Sequence, residues 1–400
     1  MKTNVSDATF HRPGLNQPVS WLGGLTPAAF MRRYWQKKPL LVRNAFPGFE
    51  PDVRIEDVLD LAGHEYAESR LVRHNPKRRA WTLDHGPFSA AEIPRLSTPN
   101  WTVLVQNVNT FFPKADAFLN AFRFIPQARL DDLMISVAGP GGGVGAHVDS
   151  YDVFLVQAQG QRHWEIDQTD DLAFEPDLPL KILQRFNPSA DWILNPGDLL
   201  YLPPKVAHRG TAVGSHCMTW SVGFRAPTLA SLADNAFSRH LETLPSKDWR
   251  DPWLTATTQP GQIPQRLLAD LTKEVLKQLP TAQSVRQAVA ASLSEPAPQT
   301  VFDRPQRPES FAQFLKKIPK KGLCLHPASR LLFAGTSFFM NGELLPRAPD
   351  QISLKAMKRL ANERRLSGQE CGCIAGATVI TKFLYQMFLD GWIDYDSASV

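Results

Sequence analysis

The sequence predicts an α+β protein in three parts: a β-rich barrel or sandwich, a helical segment and a small C-terminal domain of winged-helix type. Three observations predict this fold class. Residues 1–228 hold short apolar runs bounded by Gly, Pro, Asn or Asp, as in sandwiches and barrels. Residues 229–298 carry apolar side chains at helical spacing. Residues 299–400 open with a Pro-rich linker and mix helices with a β-turn-β unit.

The amino-acid composition favours a folded protein that does not span a membrane. Of the 400 residues, 43% are apolar and 10% aromatic, which is enough to fill hydrophobic cores. No stretch approaches the ~18 consecutive apolar residues of a membrane helix, and the N-terminus lacks the apolar run of a secretory signal. Four cysteines (Cys217, Cys324, Cys371 and Cys373) make neither a disulfide framework nor a zinc knuckle. We therefore expect a cytoplasmic protein.

The net charge of +5 comes from the last quarter of the chain. Residues 301–400 hold 14 Lys and Arg against 9 Asp and Glu, whereas the rest of the chain is balanced. A basic tail of this size is compatible with nucleic-acid binding, but scattered lysines on a solvated face are its commoner cause. We therefore do not expect direct binding of nucleic acid.

Signals for helices and strands follow one another along the first part. Pro27–Trp35 predicts a helix with Thr26 as its N-cap, because Thr caps well and Pro suits the first helical position. The segment PLLVRNAFPGF then predicts a strand. From Trp101 onward, six runs predict short strands: WTVLVQNV, LMISVAG, YDVFLVQAQG, RHWEI, WILNPGDLLYLP and MTWSVGF. NPGD and LPPK have the residues of tight turns.

Two apolar stripes predict a pair of helices in the second part. The stripes are Leu229, Leu232, Ala236, Phe237, Leu241 and Leu244, and then Leu267, Leu271, Val275 and Leu279. Such a pair packs against itself, against the barrel or across a dimer axis, and the spacing does not distinguish these arrangements. In the third part, SFAQFLKKI, SLKAMKRLANERRL and TKFLYQMFLDGWI predict helices, while SRLLFAG and SFFMNGELL predict strands.

A candidate metal site follows the glycine-rich turn in GPGGGVGAHVDSYDVFLVQ. The strand predicted to begin near His147 would direct His147 and Asp149 to the same face. An imidazole and a carboxylate are two ligands of the 2-His-1-carboxylate triad of non-haem Fe(II) oxygenases. His208, 61 residues later in DLLYLPPKVAHRG, is predicted to begin a strand and is the candidate third ligand. His-x-Asp alone is a weak signal, and a hydrogen-bonded surface histidine is its commoner meaning; the turn, strand and distal histidine together favour the metal.

A triad of this kind leaves three positions on iron, which a bidentate 2-oxo acid and O₂ occupy in this enzyme class. The distal carboxylate of the acid needs a buried cation. Arg162 in QAQGQRHWEI, predicted to open the next strand, is the candidate, and Ser136 in LMISVAG adds a hydroxyl. Arg162 as a solvent-facing turn residue and Ser136 as a structural strand residue are the alternatives. We expect no further catalytic side chain beyond the metal ligands.

The remaining motifs have structural interpretations. The glycine run is not followed by the helix or the GK[ST] of a phosphate loop, so we interpret it as a turn that lets a substrate backbone approach the metal. Cys371-Gly-Cys373 lacks the two-residue spacing of redox motifs. Tyr151 and Asp152 either face a peptide substrate or belong to the core and its ion pairs. Three histidines have no evident partner in sequence: His163, His216 and His240.

Three segments together resemble the bacterial JmjC-type ribosomal oxygenases, Fe(II)- and 2-oxoglutarate-dependent members of the cupin superfamily. The segments are FMRRYWQKKPLLVRNAFPGF, GGGVGAHVDSYDVFLVQAQGQRHWEI and NPGDLLYLPPKVAHRG. The resemblance spans about residues 20–395. It implies a double-stranded β-helix (jelly-roll, cupin, JmjC-type) barrel, a helical dimerisation segment, hence a homodimer, and a winged-helix-like domain. The site that it implies has Fe(II) on His147, Asp149 and His208, and 2-oxoglutarate on Arg162 and Ser136, with O₂ as co-substrate.

The activity that the resemblance implies is hydroxylation of an arginine at its β-carbon in large-subunit (50S) ribosomal protein sixteen, with succinate and CO₂ as co-products. The chain departs from the family at Ala146, where proline is common, and at His163, where a second arginine is common. A histidine hydroxylase and an N-methyl demethylase use the same triad and stay open. From another class, a non-catalytic ribosome- or RNA-binding module is the alternative; a cupin isomerase is disfavoured because no His-x-His precedes a Glu.

Overall fold

The computed structural model describes residues 10–78, 80–168 and 172–396. The chain divides into two compact units. The first unit comprises Met1–Ala226, Pro296–Arg330 and Ala348–Val400; the second comprises Pro227–Glu295 and Leu331–Arg347. The three domain boundaries expected from the sequence stay a prediction.

An antiparallel nine-stranded sheet forms the centre of the first unit. Its strands are β1 (Leu40–Val42), β2 (Ser69–Asn75), β3 (Ala80–His85), β4 (Trp101–Val105), β5 (Leu130–Ala138), β6 (Val153–Asp167), β7 (Ala190–Leu194), β8 (Leu199–Leu202) and β9 (Ala207–Phe224). They pair in the order β1-β8-β6-β9-β5-β4-β2-β3, with β7 also on β6. The first half of β6 pairs with β8 and its second half with β7, while β9 follows β6 along both halves. The two long strands therefore belong to both layers of the predicted barrel.

Strand β6 differs from the sequence prediction, which divided it into two strands. The register between β6 and β9 shifts between Gln157 and Gln159 and again between Gln159 and Gln161. Gly160 between them has φ 64°, which favours glycine. These irregularities bend the strand without ending it. The predicted strand start near His147 is also wrong, because β6 begins at Val153 and His147 forms only an isolated bridge.

The two-residue period of the strands gives the sheet an apolar face toward the core and another face that lines a cavity. On β5, Ile135 and Val137 pack into the main hydrophobic core, whereas Met134 and Ser136 line an internal cavity. The core side is shared with α1 (Pro27–Arg33), α2 (Ile55–Leu61) and α3 (Pro113–Leu119) and is rich in aromatic rings. The predicted cap of α1 is confirmed: the Ala29 amide donates to Thr26 Oγ1 at 3.1 Å. Helices therefore cover one face of the sheet and leave the other face free to hold a site.

The rest of the first unit contains helices α7 (Phe311–Lys321), α8 (Gln351–Glu363), α9 (Gly368–Ile374) and α10 (Thr378–Leu389) and a small sheet. The sheet has the order β14-β10-β15, with β10 Leu323–Leu325, β14 Arg365–Leu366 and β15 Ile393–Tyr395. Helices and short strands in this order confirm the predicted winged-helix-like fold. The three predicted helices correspond to α7, α8 and α10.

The second unit contains three helices and a three-stranded sheet. Its helices are α4 (Leu229–Leu241), α5 (Gln265–Lys277) and α6 (Ala282–Leu293), and its strands are β11 (Leu331–Ala334), β12 (Ser337–Met340) and β13 (Glu343–Leu344). Arg239 of α4 donates to Glu295 Oε1 at 2.6 Å and to Gly342 O at 3.1 Å. The predicted apolar stripes lie on α4 and α5 except for Leu244 and Leu279, which follow the helix ends, and α6 was not predicted. The predicted β-turn-β unit is formed by β11–β13.

Candidate active site

The three predicted metal ligands come together at one end of the barrel. One ligand atom from each of His147, Asp149 and His208 lies within 4.8 Å of the other two. The nearer contacts join His208 Nε2 to Asp149 Oδ2 at 3.6 Å and His147 Nε2 to Asp149 Oδ1 at 3.9 Å. His147 and His208 face each other across an antiparallel bridge, with backbone N···O distances of 3.0 and 2.9 Å. Backbone pairing thus sets the spacing of the two imidazoles.

Both imidazoles are oriented with Nε2 toward the cluster. Nδ1 of His147 donates to the carbonyl of Gly145 at 3.0 Å, and Nδ1 of His208 donates to that of Val206 at 2.9 Å. A carbonyl accepts only, so these bonds put the proton on Nδ1 and leave the Nε2 lone pair for a metal. Burial lowers the pKa of His208 to about 4, so this imidazole is neutral near pH 7. Two imidazoles and one carboxylate are the donor set that suits non-haem Fe(II).

A cavity of about 570 Å³ opens beside the cluster and is lined by side chains from the inner face of the sheet. Arg162 of β6 lies in its wall and is only 4% exposed. Its Nε and Nη2 have no hydrogen-bond partner among the described residues. A buried guanidinium without acceptors is costly, so this arrangement fits a ligand that brings a carboxylate. Arg162 is therefore not the solvent-facing turn residue of the alternative interpretation.

Ser136 lines the same cavity from β5. It is paired in register with Leu104 of β4 and Thr219 of β9, and it is 5% exposed. Arg162 lies on β6, which pairs with the other part of β9. The two residues therefore share a cavity, and the role of Ser136 toward a carboxylate stays a prediction.

Two further cavity residues carry unsatisfied donors that the sequence analysis missed. Thr102 Oγ1 and Trp164 Nε1 are buried and have no partner among the described residues. The indole of Trp164 also lies under the guanidinium of Arg162, at 5.8 Å from its centre. The two-residue period of strands could have identified both residues, because alternate residues share a face. Thr102 pairs with Ala138, which lies two residues after Ser136, and Trp164 lies two residues after Arg162.

An acidic group occupies another wall of the cavity. Asp132 accepts a hydrogen bond from the Asn107 amide at 2.7 Å. In the orientation that satisfies both partners, the Gln106 side chain donates to Asp132 Oδ2 at 3.1 Å and accepts from Arg70 Nη2 at 3.0 Å. Burial, together with the charge of Asp131, raises the pKa of Asp132 to about 7. A carboxyl group of this kind gains strongly from a cationic partner.

Tyr151 and Asp152, which follow the metal ligands in sequence, have different surroundings. Tyr151 lines the cavity, and burial followed by the charge of Asp149 raises its pKa. Asp152 is fully buried, accepts from Tyr201 Oη at 2.6 Å and from Gln36 Nε2 at 3.0 Å, and does not line the cavity. Tyr151 thus matches the substrate-facing alternative, and Asp152 matches the core alternative.

The glycine turn has a different use from the one expected. A Cβ on Gly142 would lie 2.0 Å from the carbonyl oxygen of Trp101, and one on Gly143 would lie 2.4 Å from that of Gly210. These glycines therefore bring the turn against the backbones of its own barrel strands. The interpretation that they admit a substrate backbone is replaced by close packing within the fold.

The residues given structural interpretations have ordinary surroundings. His163, at one of the two family departures, is hydrogen-bonded through Nε2 to Asp191 Oδ2 at 2.8 Å, and His240 faces the carbonyl of Gln278 at 2.7 Å. Ala146, at the other departure, packs in a small apolar cluster. His216 is exposed, and the four cysteines are free. Among the described helices, none has the length and apolar character needed to cross a membrane.

Comparisons with known proteins match both halves of the chain. Residues 117–232 match the JmjC domain family, and residues 268–394 match the ROXA-like winged helix family. A probable ribosomal oxygenase of Haemophilus influenzae is 31% identical over 392 residues, 92% of this chain and 95% of that protein. The ribosomal protein uL16 3-hydroxylase of Escherichia coli is 30% identical over 349 residues, 86% of this chain and 90% of that protein.

Solved structures match over the same extent. The X-ray structure of E. coli ycfD has a TM-score of 0.79 at 28% identity and covers 93% of this chain and 98% of that one. A structure of YcfD, described as a ribosomal oxygenase from E. coli in complex with cobalt and 2-oxoglutarate, has a TM-score of 0.78 at 28% identity, with 93% and 99% covered.

Proposed function

Because the chain belongs to the ribosomal oxygenases, we propose that it is an Fe(II)- and 2-oxoglutarate-dependent hydroxylase of ribosomal protein uL16, the large-subunit protein sixteen. One observation carries the proposal: the cluster of three metal ligands and the unpaired guanidinium of Arg162 line the same cavity. The E. coli relative is named a 3-hydroxylase, and position 3 of an amino acid is its β-carbon. We assign the reaction to an arginine of the substrate.

His147, Asp149 and His208 hold the iron in this proposal. The carbonyls of Gly145 and Val206 keep both Nε2 atoms directed at the metal. Iron and 2-oxoglutarate bound there would supply the oxidising chemistry, in which hydroxylation of the substrate carbon is coupled to decarboxylation of 2-oxoglutarate to succinate and CO₂. The protein contributes the ligands, their orientation and the cavity beside them.

Arg162 binds the distal carboxylate of 2-oxoglutarate in the same proposal. Its Nε and Nη2 lie side by side on the guanidinium, so they present the two parallel donors that a carboxylate accepts. The hydroxyl of Ser136 adds a further donor, and Thr102 Oγ1 is a buried donor available to the same ligand. The indole of Trp164 lies on one side of the guanidinium, with its ring centre 5.8 Å away.

The acidic wall of the cavity supports an arginine as the substrate residue. Asp131 forms the ion pair with Arg225 at 2.7 Å, whereas Asp132 accepts hydrogen bonds from the neutral Asn107 amide and Gln106 side chain and feels Arg225 only through its charge. A substrate guanidinium would give Asp132 a full positive charge at close range. Tyr151 in the same cavity adds an aromatic ring against which a guanidinium can stack.

A homodimer in the cytoplasm completes the proposal. Helix α5 has no buried residue, and Leu268, Val275 and Leu276 are 55%, 62% and 59% exposed. Exposed apolar side chains of this kind are typical of a surface covered by a second copy. A ribosomal protein as substrate supports a cytoplasmic location.

Intact-mass measurement of uL16 tests the proposed function. The purified protein is incubated with Fe(II), ascorbate, 2-oxoglutarate and uL16; we expect a gain of one oxygen atom that is lost in Asp149→Ala. His163→Ala is the matched control, since its partner Asp191 is an exposed surface residue. Loss of a methyl group with formaldehyde would indicate a demethylase, and oxygen on a histidine fragment would indicate a histidine hydroxylase. If iron-loaded protein produced neither modified uL16 nor succinate, that result would favour the non-catalytic binding module.

A further inference from the structure

A second cavity of about 370 Å³ lies directly beside the catalytic one. Glu68, Asn107 and Ala297 line both cavities, so the two are continuous along one wall. Glu68 is held at this junction because its carbonyl accepts from the Gln106 amide at 2.9 Å, at the edge where β2 and β4 begin and end. The segment from Ala297 to Asp303, which follows the helical part of the chain, forms the opposite wall.

Aromatic rings line the second cavity. The ring of His64 lies 5.5 Å from that of Tyr66 and 6.0 Å from that of Phe111, measured between ring centres. Tyr66 is 50% exposed, although large aromatic side chains are usually more deeply buried. Nothing in the proposed chemistry uses these three rings.

The charge of the second cavity is negative. Glu68 and Asp303 are its carboxylates, and among its described lining residues there is no lysine or arginine. Burial, followed by the charge of Arg364, lowers the pKa of His326 in its wall, which favours the neutral ring. A hydrogen bond to Glu65, followed by nearby acidic charge that includes Asp303, raises the pKa of the Tyr66 phenol. Faces of aromatic rings beside carboxylates favour a cationic side chain.

We propose that this second cavity binds a basic segment of the protein substrate that flanks the hydroxylated residue, with a Lys or Arg side chain against Tyr66 and beside Asp303. The proposal rests on the function proposed above and adds a second recognition site to it. Continuity with the catalytic cavity allows one extended chain to occupy both. Ribosomal proteins are rich in Lys and Arg, which matches the charge of the cavity. The part of the chain beyond the barrel thus takes part in choosing the substrate.

Steady-state kinetics with whole uL16 test this assignment. The variant Tyr66→Ala/Asp303→Asn should raise KM for uL16 about tenfold, the effect of losing ~1.4 kcal/mol of binding. KM for 2-oxoglutarate and kcat at saturating uL16 should change by less than about twofold, because neither residue lines the catalytic cavity. Glu50→Gln, which removes an exposed carboxylate elsewhere, is the matched control.

A charge reversal guards against a folding defect in the double variant. Asp303→Lys alters one exposed side chain and should raise KM for uL16 further than Asp303→Asn, with kcat maintained. Wild-type KM should also rise with salt more steeply than that of Asp303→Lys. If KM for uL16 were unchanged in Tyr66→Ala/Asp303→Asn and in Asp303→Lys, with hydroxylation intact, the second site would be overturned. The assignment of the enzyme would still stand. Absence of any uL16 hydroxylation by the wild type would overturn both.

Discussion

Single residues were predictable where chemistry restricts the side-chain type. Few residues bind Fe(II), so His-x-Asp with a distal His located a cluster that the structure brings together. Thr102 and Trp164 were missed because such residues are common in strands. Only their burial without a partner distinguishes them, and burial depends on packing between distant segments.

Arg162→Lys tests the cation proposed for the co-substrate. Lysine keeps the charge but loses the paired donors, so we expect KM for 2-oxoglutarate to rise ~10- to 100-fold. Iron binding, measured by metal content after desalting, should not change. Arg73→Lys is the control, because Arg73 pairs with the exposed Asp84 on the surface. An unaltered KM for 2-oxoglutarate would mean that another group binds its carboxylate.

Asp132 predicts a pH dependence of substrate use. Its pKa of about 7 in the folded protein means that the carboxylate, the form that pairs with a guanidinium, is gained as pH rises through 7. We expect kcat/KM for uL16 to rise between pH 6 and pH 8, and this rise to disappear in Asp132→Asn along with a ~10- to 100-fold loss at pH 8. Asp84→Asn should keep the wild-type profile. The same rise in Asp132→Asn would assign the titration to another group.

The stability of the protein should respond to Asp132 in the opposite direction. An acid whose folded pKa lies above its ordinary value of 3.8 binds its proton more tightly in the folded state. Its contribution to stability is therefore complete below about pH 4 and is lost as pH rises toward 7. Asp132→Asn removes this loss, so the melting temperature of the variant should fall less between pH 5 and pH 8 than that of the wild type. Calorimetry at the two pH values measures the difference.

At the scale of elements, periodicity predicted most strands and helices but not how they join. The runs on either side of Gly160 are one bent strand, because a shift in register with β9 replaces a turn, and pairing partners cannot be seen in a local pattern. The β2–β3 hairpin was missed, since its charged outer residues weaken the alternation. Helix α9 was missed because it is short and contains two glycines and two cysteines.

The glycine turn before the metal ligands should be intolerant of side chains. In Gly142→Ala, the new Cβ would meet the carbonyl oxygen of Trp101 at 2.0 Å, so the turn must shift. We expect the free energy of unfolding to fall by ~1–3 kcal/mol, visible as a lower melting temperature. In Gly261→Ala nothing lies within 4 Å of the new Cβ, and the change should stay within ~0.5 kcal/mol. Equal melting temperatures for the two variants would contradict the close approach.

At the scale of the whole molecule, the order of barrel, helices and winged-helix-like region was predictable, and the packing units were not. Leu331–Arg347 packs with the helical segment, whereas Pro296–Arg330 packs with the barrel. Contacts between segments far apart in sequence decide which segments form one packing unit, and these contacts cannot be predicted from composition. The sequence also left three arrangements open for the helical pair, and the uncovered stripe of α5 favours the one that uses a second copy.

The proposed homodimer predicts that substitutions on α5 change the molecular mass of the protein in solution. Val275→Asp/Leu276→Asp replaces two exposed apolar side chains of α5 by charges, which a partner surface would have to bury. We expect sedimentation velocity to show a dimer for the wild type and a monomer for this variant. Ile352→Asp, at a residue that is 60% exposed outside this unit, should remain a dimer. A monomeric wild type would contradict the proposed assembly.

The bridge between His147 and His208 has a consequence for the chain that connects them. A metal held by both residues and Asp149 is a cross-link that closes a loop of 61 residues, containing β6, β7 and β8. Because the three ligands come together only in the folded chain, a metal that binds them stabilises the folded state by mass action. Bound iron would then stabilise the fold as well as take part in the reaction. The strand that carries Arg162 is therefore held most firmly when the enzyme is ready to bind its co-substrate.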